Sequence, residues 1–257
     1  MNEVRSSSAG VISPSDFLRD SRIGREARPF GNLPKRRYYL VVCEGEETEP
    51  NYFKSLASRL PRGMVDHVVV RGVGMNTLSL VKAAQEEIEK RRAARLPPYY
   101  HIWLVFDRDS FPAHRFDATI QAVAAIDKKN AKSKPPEHWH CAWSNEAFEL
   151  WYVLHFRNQL GGAVSRAAFQ CMIEEDVRRH TGETGYRYMK NDPGMFDRLM
   201  PYTLTAISRS QRALLVQKKA HGTKWSKMNP STRVHELVRA LLAYLPQKPG
   251  RRGQRSS

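Results

Sequence analysis

The chain has 257 residues, of which 42 are Lys or Arg and 26 are Asp or Glu, giving a formal net charge of +16. Hydrophobic residues make up 41%, enough for a proper core, yet no apolar run reaches the roughly 18 residues that a membrane span needs. The amino terminus has no apolar signal core, and Cys43, Cys141 and Cys171 are too few and too widely spaced for a disulfide framework or a zinc ribbon. A reducing cytoplasm is therefore expected, and the positive excess points to a polyanionic partner, most simply nucleic acid.

In chain order, residues 1–36 read as a flexible basic lead-in, with prolines and arginines but no sustained periodicity. Tyr38 to Cys43 is a short continuous apolar run, the pattern of a strand buried on both faces. Thr48 is expected to cap a helix that holds Glu49 and Pro50 in its first turn and Phe53, Leu56, Ala57 and Leu60 at helical spacing. Val65 to Arg71 predicts a second strand, closed by Gly72-Val73-Gly74. A second helix then opens at Asn76 or Thr77, with Leu78, Val81, Ala84 and Ile88 on one side. Tyr100 to Phe106 predicts a third strand, Phe116 to Lys129 a third helix, and His138 to Trp143 a fourth strand. His138-Trp139-His140-Cys141 is read as half-buried strand rather than as a zinc site. Strand and helix alternating at this spacing predict a largely parallel four-stranded sheet flanked by helices over residues 37–157. Beyond Asn145 the pattern turns helical, at about 146–157, 165–180, 193–207 and 231–244, with Ser231 or Thr232 as the last cap. Residues 158–245 are thus a mainly helical, basic portion, and 246–257 a disordered basic tail.

Two apolar runs end abruptly in carboxylates: Val41-Val42-Cys43-Glu44 and Val105-Phe106-Asp107-Arg108-Asp109. If both are neighbouring parallel strands, Glu44, Asp107 and Asp109 emerge together at the carboxyl edge of an open α/β sheet, where ligands bind. In extended chain, residues i and i+2 project the same way, so Asp107 and Asp109 can reach one ion or two adjacent ones, although Asp-Arg-Asp-Ser also suits an ordinary polar turn. Arg108 points elsewhere, to a phosphate or to an acid. Clustered carboxylates repel unless a cation lies between them, and Mg²⁺ or Mn²⁺ is the hard ion that such oxygens hold together with phosphates. Glu44 ends a buried strand and suits a metal ligand or a general base, with Gly45 allowing a tight turn; Glu49 is assigned to the helix N-terminus, and Glu46 and Glu47 to solvent. Glu149 lies in a segment that is apolar nearly all round from Phe148 onward, so it either pairs with an arginine or joins the acidic site. His155 in the same segment reads as a core histidine. Between Arg178 and Arg233 stand 12 Lys or Arg against three acids. Tyr186-Arg187-Tyr188-Met189-Lys190 places cations among aromatics there, and Lys218, Lys219 and Lys224 continue the basic surface expected to hold a nucleic-acid backbone.

Val-Val-Cys-Glu-Gly-Glu-Glu-Thr-Glu-Pro-Asn-Tyr-Phe (41–53), Trp-Leu-Val-Phe-Asp-Arg-Asp (103–109) and Ser-Asn-Glu-Ala-Phe-Glu-Leu-Trp-Tyr-Val-Leu-His-Phe (144–156) together resemble the RloB-like proteins, from about Arg36 to Leu242. The resemblance implies a Toprim-like α/β core and Mg²⁺-dependent cleavage of phosphodiester bonds. On the family pattern Glu44 takes the glutamate role, Asp107 and Asp109 bind metal, Glu149 matches the glutamate of the Phe-Glu-Leu-Trp segment, and Lys190 matches the lysine after the aromatic cluster. Glu146-Ala147 departs from the family's Pro-Cys. The resemblance also implies an anti-phage setting beside an AAA- or ABC-type ATPase and leaves DNA, RNA and tRNA open as substrates. The rival expectation is a non-catalytic nucleic-acid-binding or adaptor subunit.

Overall fold

A computed structural model of the chain describes residues 37–70, 77–109, 112–159 and 161–245. Residues 1–36, Gly72-Val73-Gly74 and residues 246–257 lie outside them. The strands are β1 (Tyr38–Cys43), β2 (Val65–Val69), β3 (Tyr99–Asp107), β4 (His138–Asn145) and β5 (Ser231–Thr232), in the order β2-β1-β3-β4-β5. Pairing is parallel from β2 through β4, and β5 closes the edge antiparallel to the end of β4. The helices are α1 (Thr48–Ala57), α2 (Thr77–Ala93), α3 (Ala113–Asn130), α4 (Glu149–Phe156), α5 (Arg166–Thr181), α6 (Met195–Leu199), α7 (Thr203–His221) and α8 (Val234–Leu242). No helix among the described residues is long and apolar enough to cross a membrane.

The strand period sorts the core into two layers. Leu40, Val42, Ile102, Leu104, Phe106, Cys141 and Trp143 face one way and pack under Leu80, Val81 and Ala84 of α2 and Phe116, Ile120 and Val123 of α3. Tyr39, Val41, Cys43, Trp103, Val105 and Ala142 face the other way and meet Tyr52, Phe53 and Leu56 of α1. Phe169, Ile173 and Val177 of α5, Ala206 and Ile207 of α7, and Leu237, Val238 and Leu241 of α8 belong to that same core. The helical carboxy-terminal portion is therefore packed into the sheet, not appended to it. All eight residues of α4 are buried, as its all-round apolar pattern requires.

Three details differ from the sequence reading. The sheet has five strands, because Ser231–Thr232 opens no helix but pairs with Asn145 and Ser144. The Thr232 hydroxyl donates to the Trp143 carbonyl (3.1 Å) and lies 3.0 Å from Ser144 Oγ, so buried hydroxyls and ladder groups satisfy one another at an edge that would otherwise be open. The helix over 193–207 is interrupted: α6 gives way to a 3-10 turn, Met200–Tyr202, at Pro201, and α7 then runs on to His221. Glu47, not Thr48, holds the cap position of α1, with no side-chain capping bond, and the Thr48 carbonyl accepts instead from the Tyr152 hydroxyl at 3.4 Å.

The chain leaves β1 for β2 on one side and then returns to β3 on the other, which makes the carboxyl ends of β1 and β3 the switch point of the sheet. At the opposite, amino end, His101 Nδ1 lies 3.0 Å from His140 Nε2, and the His140 ring stacks on Trp103. This is half-buried strand packing, as the sequence predicts for His138 and His140. Cys43 and Cys141 are buried free thiols and Cys171 an exposed one.

Candidate active site at the switch point

Asp107 is the last residue of β3 and is only 2% exposed. Its Oδ2 accepts the N–H of Phe148 (3.0 Å), at the entry to α4, and a bond from Arg166 Nη2 (2.7 Å). Its Oδ1 is buried without a hydrogen-bond partner among the described residues. The two following residues are fixed by backbone: the N–H groups of Arg108 and Asp109 both donate to the Glu146 carbonyl, at 3.1 and 3.2 Å. That turn points Asp109 back to the same guanidinium, with Arg166 Nη1 3.1 Å from its Oδ2 and Nη2 3.2 Å from its Oδ1.

Glu149, the first residue of α4, is 1% exposed. Its Oε2 lies 3.5 Å from Arg166 Nε, and its Oε1 accepts from the Tyr188 hydroxyl at 3.3 Å and from Gln170 Nε2 at 3.5 Å. Of the two roles the sequence leaves open for this glutamate, arginine partner or member of the acidic cluster, it holds both. Arg166 is the first helical residue of α5, behind Ser165, whose hydroxyl accepts the Ala168 N–H. A cation there opposes the positive end of the helix dipole, so it is the carboxylates that hold it in place.

Glu49 completes the group. It is the second residue of α1, 6% exposed, and carries the same face as Tyr52, Phe53 and Leu56. Its carboxylate lies over Gly45: a Cβ at Gly45 would stand 2.3 Å from Glu49 Oε2. Gly45 is thus required as room for a carboxylate, rather than for a left-handed turn. Burial pushes the Glu49 carboxyl up to about 7, with the charge of Glu149 adding to the effect and Arg166 opposing it. Burial likewise holds Asp107 well above the usual carboxylate range, reinforced by the charge of Glu49. Burial works against the charge of Arg166, but Asp107, Glu149, Asp109 and Glu49 outweigh it and leave the guanidinium firmly protonated. Three carboxylates thus pair directly with the Arg166 guanidinium, and the charge of a fourth, Glu49, adds to their hold.

The remaining residues singled out in the sequence are distributed as follows. Glu44 is half-buried just past β1, its N–H donating to the Val105 carbonyl of β3 (3.0 Å), so it stands at the same sheet edge; the charges that act most on Asp107 are those of Glu49, Arg166, Glu149 and Asp109. Arg108 is half-buried. Lys190 is exposed in the turn two residues after Tyr188, and Arg187 is tied to Glu174 at 3.0 Å. Lys218 and Lys219 are exposed in the last turn of α7. Lys224 is exposed beside Trp225, whose carbonyl accepts from Asn145 Nδ2 (3.1 Å) at the end of β4, so this loop reaches the same carboxyl edge. His155 is a core histidine, its Nδ1 2.8 Å from the Trp151 carbonyl.

Sequence reasoning missed Glu49, Arg166, Gln170 and Tyr188 as members of the site. Glu49 could have been found from its i, i+3, i+4 relation to Tyr52 and Phe53, which puts a carboxylate on an apolar helix face. Arg166 could have been found as a cation at the wrong end of a capped helix. For Gly45→Ala we expect loss of less than about 1 kcal/mol of stability, because a flexible carboxylate gives way, but a loss of about 10- to 100-fold in any activity that needs Glu49 in place. Urea unfolding and an activity assay on the same preparation check this.

The donor set suits a hard divalent cation: oxygen ligands only, excess negative charge, and one buried carboxylate oxygen left without a partner among the described residues. Among those residues no three acidic, His or Cys side chains are arranged as a ready metal shell; the guanidinium of Arg166 stands among the acids. The family model described as RloB-like protein matches residues 39–241. No curated protein and no solved structure matches the chain.

Proposed function

We propose that this chain, which belongs to the RloB-like protein family, is a divalent-metal-dependent nuclease with a Toprim-like core that hydrolyses phosphodiester bonds of nucleic acid. The observation that carries the reading is the convergence of Asp107, Asp109, Glu149 and Glu49 at the sheet's switch point, with a buried oxygen of Asp107 unmatched. Asp107 and Asp109, with Glu44 or Glu49, would hold Mg²⁺ or Mn²⁺, which supplies charge neutralisation at the scissile phosphate and an activated water. The chain itself contributes the rest. Phe148 N–H fixes the Asp107 carboxylate at the sheet edge, while Tyr188 and Gln170 orient Glu149. A glutamate near neutral proton affinity, Glu49, suits proton transfer at physiological pH. Lys190 and Lys224, on turns that reach the site, would steady the phosphate backbone, and Lys218, Lys219, Arg108 and Arg187 would extend that grip. A role in anti-phage defence and an AAA- or ABC-type ATPase partner rest on the family resemblance.

The test is cleavage of supercoiled plasmid, linear DNA and total tRNA with Mg²⁺, Mn²⁺ or EDTA. Metal-dependent cutting of one substrate class supports the enzyme and names its substrate. No cutting, with or without the neighbouring ATPase, favours the second reading, a non-catalytic nucleic-acid-binding or adaptor subunit. One observation speaks for that alternative: Arg166 already pairs the acids internally. Under either reading, replacing Lys218, Lys219 and Lys224 with Ala together should flatten the salt dependence of nucleic-acid binding. The log–log slope should fall by about 0.7 to 0.9 for each phosphate no longer neutralised. An unchanged slope would remove these lysines from the interface.

A further inference from the structure

Arg166 is a cation set among Asp107, Asp109 and Glu149, with the charge of Glu49 also acting on it, and it occupies the place where the metal reading requires an ion. Its guanidinium spans Asp107, Asp109 and Glu149 at 2.7 to 3.5 Å, so its fork engages carboxylates from the end of β3, from the turn after it and from α4 at once. Little else ties it down. It heads a helix whose dipole repels it, its Nε has no hydrogen bond of good geometry among the described residues, and its side chain is 32% exposed, so a path to solvent is open. Even with the guanidinium in place, Asp107 Oδ1 stays buried and unmatched. A guanidinium carries one charge on a wide plane. A divalent ion carries two on a point that several oxygens can approach together.

We propose that Arg166 is an internal counter-cation, and that a divalent ion enters the acidic cluster only by displacing it. This deepens the metal-dependent reading and rests on it. Metal-free protein is then a resting form whose acids are neutralised by its own arginine, and metal affinity is set by how tightly that arginine holds. The exchange is reciprocal: whatever strengthens the guanidinium's grip weakens the metal's by the same factor.

The experiment is calorimetric titration of MnCl₂ into the full chain, with melting temperatures in EDTA and in excess Mn²⁺, for wild type, Arg166→Gln and Arg166→Lys. Exchange predicts that Arg166→Gln melts below wild type in EDTA, binds Mn²⁺ about tenfold tighter or more, and gains more than wild type in melting temperature when Mn²⁺ is added. Arg166→Lys, which keeps the charge but not the fork, falls between the two and carries the test if the Gln variant does not fold. Wild type binding Mn²⁺ with neither variant tighter overturns the exchange and leaves the metal site standing. No Mn²⁺ binding by any of the three overturns both.

Discussion

Asp107→Asn is expected to lower metal-dependent cleavage by at least about 10³-fold while leaving the fold intact. The two halves of that expectation come from the same geometry. Asparagine keeps an acceptor for the Phe148 N–H and for Arg166 Nη2, and burial already holds this carboxyl well above its ordinary range, so the neutral amide resembles a state the site tolerates. Arg166 retains Asp109 and Glu149, and stability should shift by less than about 2 kcal/mol. What asparagine cannot supply is negative charge on the buried, unmatched Oδ1. Cleavage rates on whichever substrate wild type cuts, with circular dichroism on the same samples, give the answer. A folded Asp107→Asn protein that cuts at the wild-type rate would move the chemistry elsewhere.

Acid should unfold this protein early. Burial lowers His155 to about 3 and His235 to about 4, and burial likewise lowers His67 and His140 to about 4 and His101 to about 3. These histidines are neutral when folded but take up protons near pH 6.5 when unfolded. Their stabilisation is therefore complete above about pH 6.5 and is lost as pH falls toward 4. The fully buried pair, His155 and His235, accounts for about 4 kcal/mol between pH 7 and pH 5. Glu49 acts with the opposite sign, because its carboxyl, pushed up to about 7, lets the folded state take up protons in the same window. Wild type should thus lose stability on acidification, and Glu49→Gln, without that opposing group, should lose it more steeply. Urea midpoints at pH 7 and pH 5 for both proteins decide it, and a flat profile in Glu49→Gln would contradict the assignment of neutral buried histidines.

The four parallel strands were legible because each is short and rich in β-branched or aromatic residues, β1 and the body of β3 as nearly unbroken apolar runs; Tyr38–Cys43 ends where the run ends, and β3 and β4 extend only one or two residues past theirs. The carboxylates at the ends of β1 and β3 were legible for the same reason, since a strand terminus and a charge coincide. What escaped was whatever depends on distant partners. Ser231–Thr232 reads locally as a helix start, and only the open ladder of β4, almost ninety positions earlier in the chain, makes it a strand. Glu49 reads as a favourable helix-terminal acid, which it is, and its burial against the cluster adds a second role that local pattern does not contain. Arg166 has no local signature beyond its position, because the charges that hold it lie on other elements. Pro201 was visible, but whether a proline kinks, stops or restarts a helix depends on the packing of Leu199 and Ala206 on either side.

The β5 ladder has a consequence for how this molecule can be divided. The acids come from the first two-thirds of the chain, whereas the groups that hold them in position, Arg166, Gln170 and Tyr188, follow residue 158, and the last strand comes later still. Neither half is a module. A fragment ending near Arg157 would keep Asp107 but lose its counter-ion, the outer strand and nearly half of one buried hydrophobic layer at once. Recombination between relatives at that boundary should yield insoluble chimeras, and lineages should exchange this gene whole.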